Sequence, residues 1–163
     1  MNRKLFGFLL AVSCGLSACA ARVKNVTNLP PGVTQAQVQA WDSEVATLGK
    51  IATATSSLRQ AVISLEKAGA FPDTVAYVKA LQSVAKIDQL ELAASAYLKQ
   101  QPEYFGVPQK AKVQGILNDI GSQIQGLNLQ TLVNIKNPDH QKQLSAVVGE
   151  LTNLVSIALS LAN

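Results

Sequence analysis

Apolar residues recur every three or four positions from Thr34 almost to the end of the chain, the spacing of amphipathic helices. Thr34-Gln35-Ala36-Gln37 has the form of a capping box, with Thr34 at the N-cap and Gln37 three residues on. A long helix is predicted from there to about Ala68. Its expected stripe is Trp41, Val45, Leu48, Ala52, Thr55, Leu58, Val62 and Leu65, in the four-and-three steps of a bundle seam. Gly69 suits the position just past a helix end, and Phe71-Pro72-Asp73 reads as a turn. A second helix is predicted over 74–101, with Val78, Leu81, Val84, Ile87, Ala94 and Leu98 as its stripe. Pro102 and Gly106-Val107-Pro108 mark the next break.

The third helix is expected over about 109–126, on Val113, Leu117, Ile120, Ile124 and Leu127. Residues 127–136 fit either its continuation or a loop with one short turn. Asn137-Pro138-Asp139 is a strong restart: an N-cap asparagine, a proline in the first turn and an acid beside it. The fourth helix then carries Leu144, Val148, Leu151, Val155 and Ala158. No stretch alternates with period two well enough to propose a strand. The expected fold class is all-α, an antiparallel helical bundle of about four helices over residues 34–163. Small residues on the seams (Ala52, Ala94, Gly121, Ala158) would permit close helix approach or line a cavity.

The first thirty residues follow a different pattern. Arg3 and Lys4 precede an apolar run from Leu5 to Val12, and small residues follow it. That is the three-part layout of a secretory signal peptide. The run is shorter than the roughly 17–25 residues a membrane-spanning helix needs. Ser13, Cys14 and Gly15 interrupt its extension. Leu16-Ser17-Ala18-Cys19 resembles the lipobox of bacterial lipoprotein precursors. The resemblance implies recognition of Leu16, Ser17 and Ala18 by the lipoprotein signal peptidase, a diacylglycerol thioether on Cys19, and acylation of its new amine. Two alternatives stay open. Ala18-Cys19-Ala20 also satisfies the small-x-small rule for plain secretion, with cleavage before Ala21. Lipid on Cys14 would place Ala11 where the lipobox has leucine. The resemblance divides the chain into a signal peptide (1–18), a lipidated cysteine with a tether (19–33) and the bundle. Asn28-Leu29-Pro30-Pro31-Gly32 lies in that tether and cannot continue a helix. Fully extended, residues 20–33 reach at most about 50 Å. Ala20 stands where an aspartate would imply inner-membrane retention in a Gram-negative cell. Its identity implies the outer membrane, facing the periplasm.

Composition narrows the function classes. The formal net charge is +4, but Arg3 and Lys4 account for half of it, and the other basic residues are scattered. Nucleic-acid binding leaves a clustered basic footprint, which is missing. Charged residues make up 15% of the chain, against about a quarter in ordinary soluble domains. Gln, Asn, Ser and Thr fill the polar faces instead. Both cysteines, Cys14 and Cys19, lie at the N-terminus, so the bundle holds no disulfide and rests on packing.

Candidate chemistry is sparse. His140 is the single histidine, beside Asp139, and a metal site needs several ligands at fixed spacing. No nucleophile-elbow motif accompanies it, and no Gly-rich phosphate loop is present; Gly115, Gly121 and Gly126 are widely spaced. Asp42 with Glu44, and Asp88 with Glu91, are the closest carboxylate pairs, read as solvated helix faces because no Glu-x-x-His motif accompanies them. Asp88 lies near the second stripe; if enclosed, it calls for a lysine partner from another helix. Tyr97, Tyr104 and Phe105 gather at one turn, either as a plug closing the bundle end or as a partner-docking patch. Trp41 is expected in the core. The chain thus reads as a membrane-anchored envelope lipoprotein: a non-enzymatic interaction or structural module with no cofactor beyond its lipid, and an envelope protein as partner. Two further readings stand beside it. The Ala/Gln/Ser/Thr-rich helices resemble those of small phage-encoded accessory proteins, which implies a lipoprotein acting on the host envelope in exclusion or lysis. Small-residue seams suit a bundle that binds an apolar ligand or lipid.

Overall fold

The computed structural model describes residues 28–131 and 135–163, with backbone alone at 128–131. Four helices follow one another: α1 (Gln35–Lys67), α2 (Thr74–Lys99), α3 (Val107–Thr131) and α4 (Pro138–Ala162). No strand occurs among the described residues. Each helix packs on its neighbours in sequence, and α4 returns to α1, so the four form a closed ring around one core. This is the all-α antiparallel bundle that the periodicity predicts.

The helix ends are set by local chemistry. The Gln37 N–H donates to Thr34 Oγ1 at 3.3 Å. Gln37 Oε1 accepts from Thr34 N at 2.8 Å, which completes the capping box. Asp73 caps α2 by accepting from Ala76 N at 2.7 Å, an N-cap role that suits a short acidic side chain. Asn137 caps α4 by accepting from Asp139 N at 2.9 Å. Pro138 occupies the first turn of that helix, where its fixed φ is already helical. At the end of α1, Gly69 adopts φ +67°. Its N–H donates to Glu66 O and the Ala70 N–H donates to Leu65 O, both at 2.9 Å. These two bonds are the Schellman closure, which satisfies carbonyls the helix leaves open.

Two boundaries differ from expectation. α3 begins at Val107, because Pro108 falls in its first turn, where a missing N–H costs nothing. It also runs on to Thr131, so the ambiguous stretch is helical that far. Ile135 beyond it is buried.

The seams of α3 and α4 lie where the pattern puts them, with Val113 to Leu127 and Leu144 to Ala158 enclosed. Those of α1 and α2 are shifted. In α1, Val45 is 47% exposed and Ala52 half-buried, while Glu44 and Ile51 point inward. The true seam is Trp41, Glu44, Leu48, Ile51, Thr55, Leu58, Val62 and Leu65, in unbroken three-and-four steps. In α2, Val78 is exposed and Leu81 half-buried; Ala80, Val84, Ile87, Glu91, Ala94 and Leu98 form the buried line. The physical reason is the same in both helices. Phase is set by the whole helix, so a valine one position out of phase faces water and an acid in phase is buried.

Replacing Gly69 by alanine places a Cβ on a left-handed residue with no atom within 4 Å of it, so the penalty is backbone strain alone. Gly69→Ala is expected to lower unfolding free energy by about 1 kcal/mol, measured as a shift of the urea midpoint at unchanged slope.

Candidate functional site

One end of the bundle gathers most of its unusual chemistry. The loop between α2 and α3 folds back onto the start of α1. Gln37 Nε2 donates to Phe105 O at 3.1 Å, and Phe105 N donates to Gln37 O at 3.3 Å. Phe105 is fully enclosed and meets Trp41 edge-on, with ring centroids 5.5 Å apart, a geometry that aromatic quadrupoles favour. The C-terminus of α4 reaches the same end, where Gln114 Nε2 donates to Ala162 O at 3.0 Å and to Asn163 Oδ1 at 2.7 Å. Of the aromatic trio, Phe105 is therefore a plug. Tyr97 and Tyr104 are half-buried beside it. An exposed three-residue docking patch is not what the fold builds, because Gln37 fixes the loop with the Phe105 ring turned inward.

Glu44 sits one turn from Trp41 on this closed end and is fully buried (0% exposed). Neither Oε1 nor Oε2 has a hydrogen-bond partner. The solvated face expected for Asp42 and Glu44 holds at most for Asp42, which is half-buried with its Oδ2 enclosed and unpartnered. Burial penalises the ionised form and pushes the Glu44 carboxyl from its ordinary 4.5 up to about 8. At neutral pH it is a protonated acid in an apolar layer. Trp41 and Leu48, one turn either side of it, also line a groove of about 300 Å³ whose walls include Val45, Leu98 and the polar Lys99, Gln101 and Glu103.

The other candidate pair, Asp88 and Glu91, is accounted for by neighbours. Glu91 is buried on the α2 seam, and its Oε1 accepts from Ser95 Oγ at 2.8 Å. Asp88 stands at the flank, 26% exposed, paired with Arg59 of α1. Its partner is thus an arginine at the surface and not a lysine in the core. His140 is half-buried in the first turn of α4, its Nδ1 enclosed without a partner. Among the described residues no three His, Cys, Asp or Glu side chains converge as metal ligands. Leu16, Ser17, Ala18 and Cys19 lie outside the described residues.

α4 is long and apolar enough to cross a membrane, with mean hydropathy 1.6 over its most apolar stretch. Its six seam residues from Leu144 to Ala162 are nevertheless packed in the bundle. No family model, no curated protein and no solved structure matches this chain.

Hydrophobicity alone misses Glu44, because Val45 is the apolar choice of two adjacent positions. The signal that finds it is strict three-four spacing between Trp41 and Leu48.

The folded state holds the Glu44 proton more tightly than the unfolded chain does. The contribution of Glu44 to stability is therefore fully present below pH 4.5 and is lost as pH rises through about 8, the sign that a raised folded-state pKa requires. The loss through this one group is roughly 3–5 kcal/mol. Glu44→Gln is expected to flatten that slope and to stabilise the protein above the carboxyl's own pKa, read from urea unfolding across the pH range. Phe105→Ala empties the plug and is expected to cost about 3–5 kcal/mol, read from the same transition.

Proposed function

We propose that this chain is a lipid-anchored protein of the bacterial envelope that works through contacts, as an interaction or structural module without catalytic chemistry of its own. The observation that carries the reading is Leu16-Ser17-Ala18-Cys19 placed directly after a basic end and a short apolar run. Its lack of a spanning length favours an anchor of acyl chains over a helix. One chain binds a membrane reversibly, while two or more hold it, so a diacylated cysteine supplies a stable attachment. The mature body is then a four-helix bundle whose exposed surface is rich in Gln, Asn, Ser and Thr. With an alanine after the cysteine, the outer membrane is its destination in a Gram-negative cell.

A second reading, binding of an apolar ligand, has the groove beside Trp41 in its favour. That groove holds about 300 Å³, and three of its lining residues are Lys99, Gln101 and Glu103. Its size is at the lower limit for a small-molecule site, and four of its eight lining side chains are polar. It supports the contact reading better, as an indentation on a surface.

The test is the intact mass of protein recovered from membranes, beside Cys19→Ala. The expected mass is that of residues 19–163 with two or three acyl chains, absent from the Cys19→Ala protein. An unmodified chain starting at Ala21 in the soluble fraction would overturn the anchor.

A further inference from the structure

α2 carries two lines of residues with the same spacing. Its buried line, from Ala80 to Leu98, faces the core. On the opposite face, half a turn round at 3.6 residues per turn, a second line runs from Val75 to Ala96 in unbroken three-and-four steps. Written as heptads, its a positions are Val75, Gln82, Gln89 and Ala96, and its d positions are Val78, Ala85 and Leu92. All of them are exposed. None is charged, although Lys79, Lys86, Asp88 and Lys99 stand on the same helix.

The face of a bundle helix turned away from the core is ordinarily its charged and polar one. Here it holds three of the six large apolar side chains exposed among the described residues: Val75 at 61%, Val78 at 41% and Leu92 at 64%. α1 and α3 pack against α2 from the core side and leave this line open. Heptad spacing is the pattern a second helix fills, because a and d knobs enter the holes of a facing helix. The line spans about 32 Å, three heptads of helix.

From this we infer that the outward face of α2 is a homodimer surface, which pairs in parallel with α2 of a second copy. An in-register parallel pair sets each residue of the line against its own copy, so the line must suit itself. It does. A glutamine amide both donates and accepts, so Gln82 bonds Gln82 and Gln89 bonds Gln89, and no charge on the line meets its like. A β-branched residue at a, Val75, and a leucine at d, Leu92, are choices that favour two strands. The flanking lysines fix the direction. Lys79 and Lys86 both occupy e positions. Antiparallel helices set e against e, which brings these lysines together across the contact. Parallel helices set e against g, where Lys79 faces Thr74 and Lys86 faces Leu81. The glutamines and alanines of the line make the pairing a weak, reversible one. It does not depend on acylation of Cys19, although two chains anchored in one membrane would meet in this orientation, with both α1 starts at the same end.

The test is disulfide cross-linking of the full mature protein as recovered from cells. Val75→Cys and Gln89→Cys each place a thiol at an a position of the line. Val107→Cys, at a site 82% exposed but off the line, controls for random collision, and wild-type protein sets the background from Cys19. Under oxidation the first two variants are expected to give a species of twice the chain mass, well above Val107→Cys and wild type. Ala85→Glu added to Val75→Cys sets two carboxylates together in the central layer. Like charges so placed oppose association strongly, and the cross-linked fraction is expected to fall at least about tenfold. The urea midpoint stays essentially unchanged, because residue 85 is exposed. Cross-linking at Val75→Cys no stronger than at Val107→Cys overturns the inference. So does a product whose mass shows a different protein as the second chain, or a Val75→Cys dimer that survives Ala85→Glu. Cross-linking of Val75→Cys with Leu92→Cys in a mixture, but not of Val75→Cys alone, marks an antiparallel pair and overturns the parallel one. The mass of the uncross-linked chain reports the acylation of Cys19 separately, so either reading can fail without the other.

Discussion

Gln37 holds the bundle closed at the end where everything else of interest lies. Its side-chain oxygen caps α1 through Thr34 N, its side-chain nitrogen binds Phe105 O, and its backbone oxygen accepts from Phe105 N. One residue thereby satisfies an orphan donor at a helix start and both polar groups of a loop residue whose ring must be buried. With the loop so fixed, Phe105 covers Trp41, and α3 starts two residues after it. Glu44 lies one turn further along α1, fully buried. Without that clamp the Phe105 backbone would lose both of its bonds to Gln37 of α1.

Burying Glu44 is costly. A carboxyl with no hydrogen-bond partner in an apolar seam loses its hydration even as the neutral acid. Leucine at the same position would pack the seam without that loss. Glu91 on α2 shows the satisfied alternative, with the hydroxyl of Ser95 one turn on donating to its oxygen. The two acids interrupt otherwise apolar lines at different levels. A polar residue at a seam position is a known device for fixing helix register at the expense of stability. Glu91 fits that role because it is bonded. Glu44 does not, since it makes no bond that would be lost in another register.

Much of this architecture is legible in the chain because it rests on local rules. Thr34, Asp73, Gly69 and Asn137 each punctuate a helix through chemistry confined to a few neighbouring residues, and α3 and α4 present apolar seams with no competing choice alongside. Legibility fails where neighbours compete. Val45 beside Glu44, and Val78 near Ala80, draw a hydrophobicity-based reading out of phase, since only the phase of the full helix decides which faces the core. Pro108 misleads for a related reason: a proline breaks a helix interior but is tolerated in a first turn. The inward turn of Phe105 is out of reach in another way. It depends on a bond to Gln37, 68 residues distant, and no local pattern encodes that contact. The candidate anchor shows the converse case, being written wholly in contiguous residues, Leu16 to Cys19.

The low charge of the chain acquires a structural meaning in the bundle. Thr53, Ser57, Ser122 and Thr152 all donate their hydroxyls to a carbonyl one turn back in their own helix. Polar side chains of this kind keep a surface wettable while needing few bonds from outside. Such a surface has little electrostatic reach, so it neither steers distant partners nor repels its own copies strongly. A protein held at a membrane needs neither property, because the tether supplies its local concentration. Under the proposed N-terminal anchor, attachment would do the work that long-range electrostatics does for a freely diffusing protein.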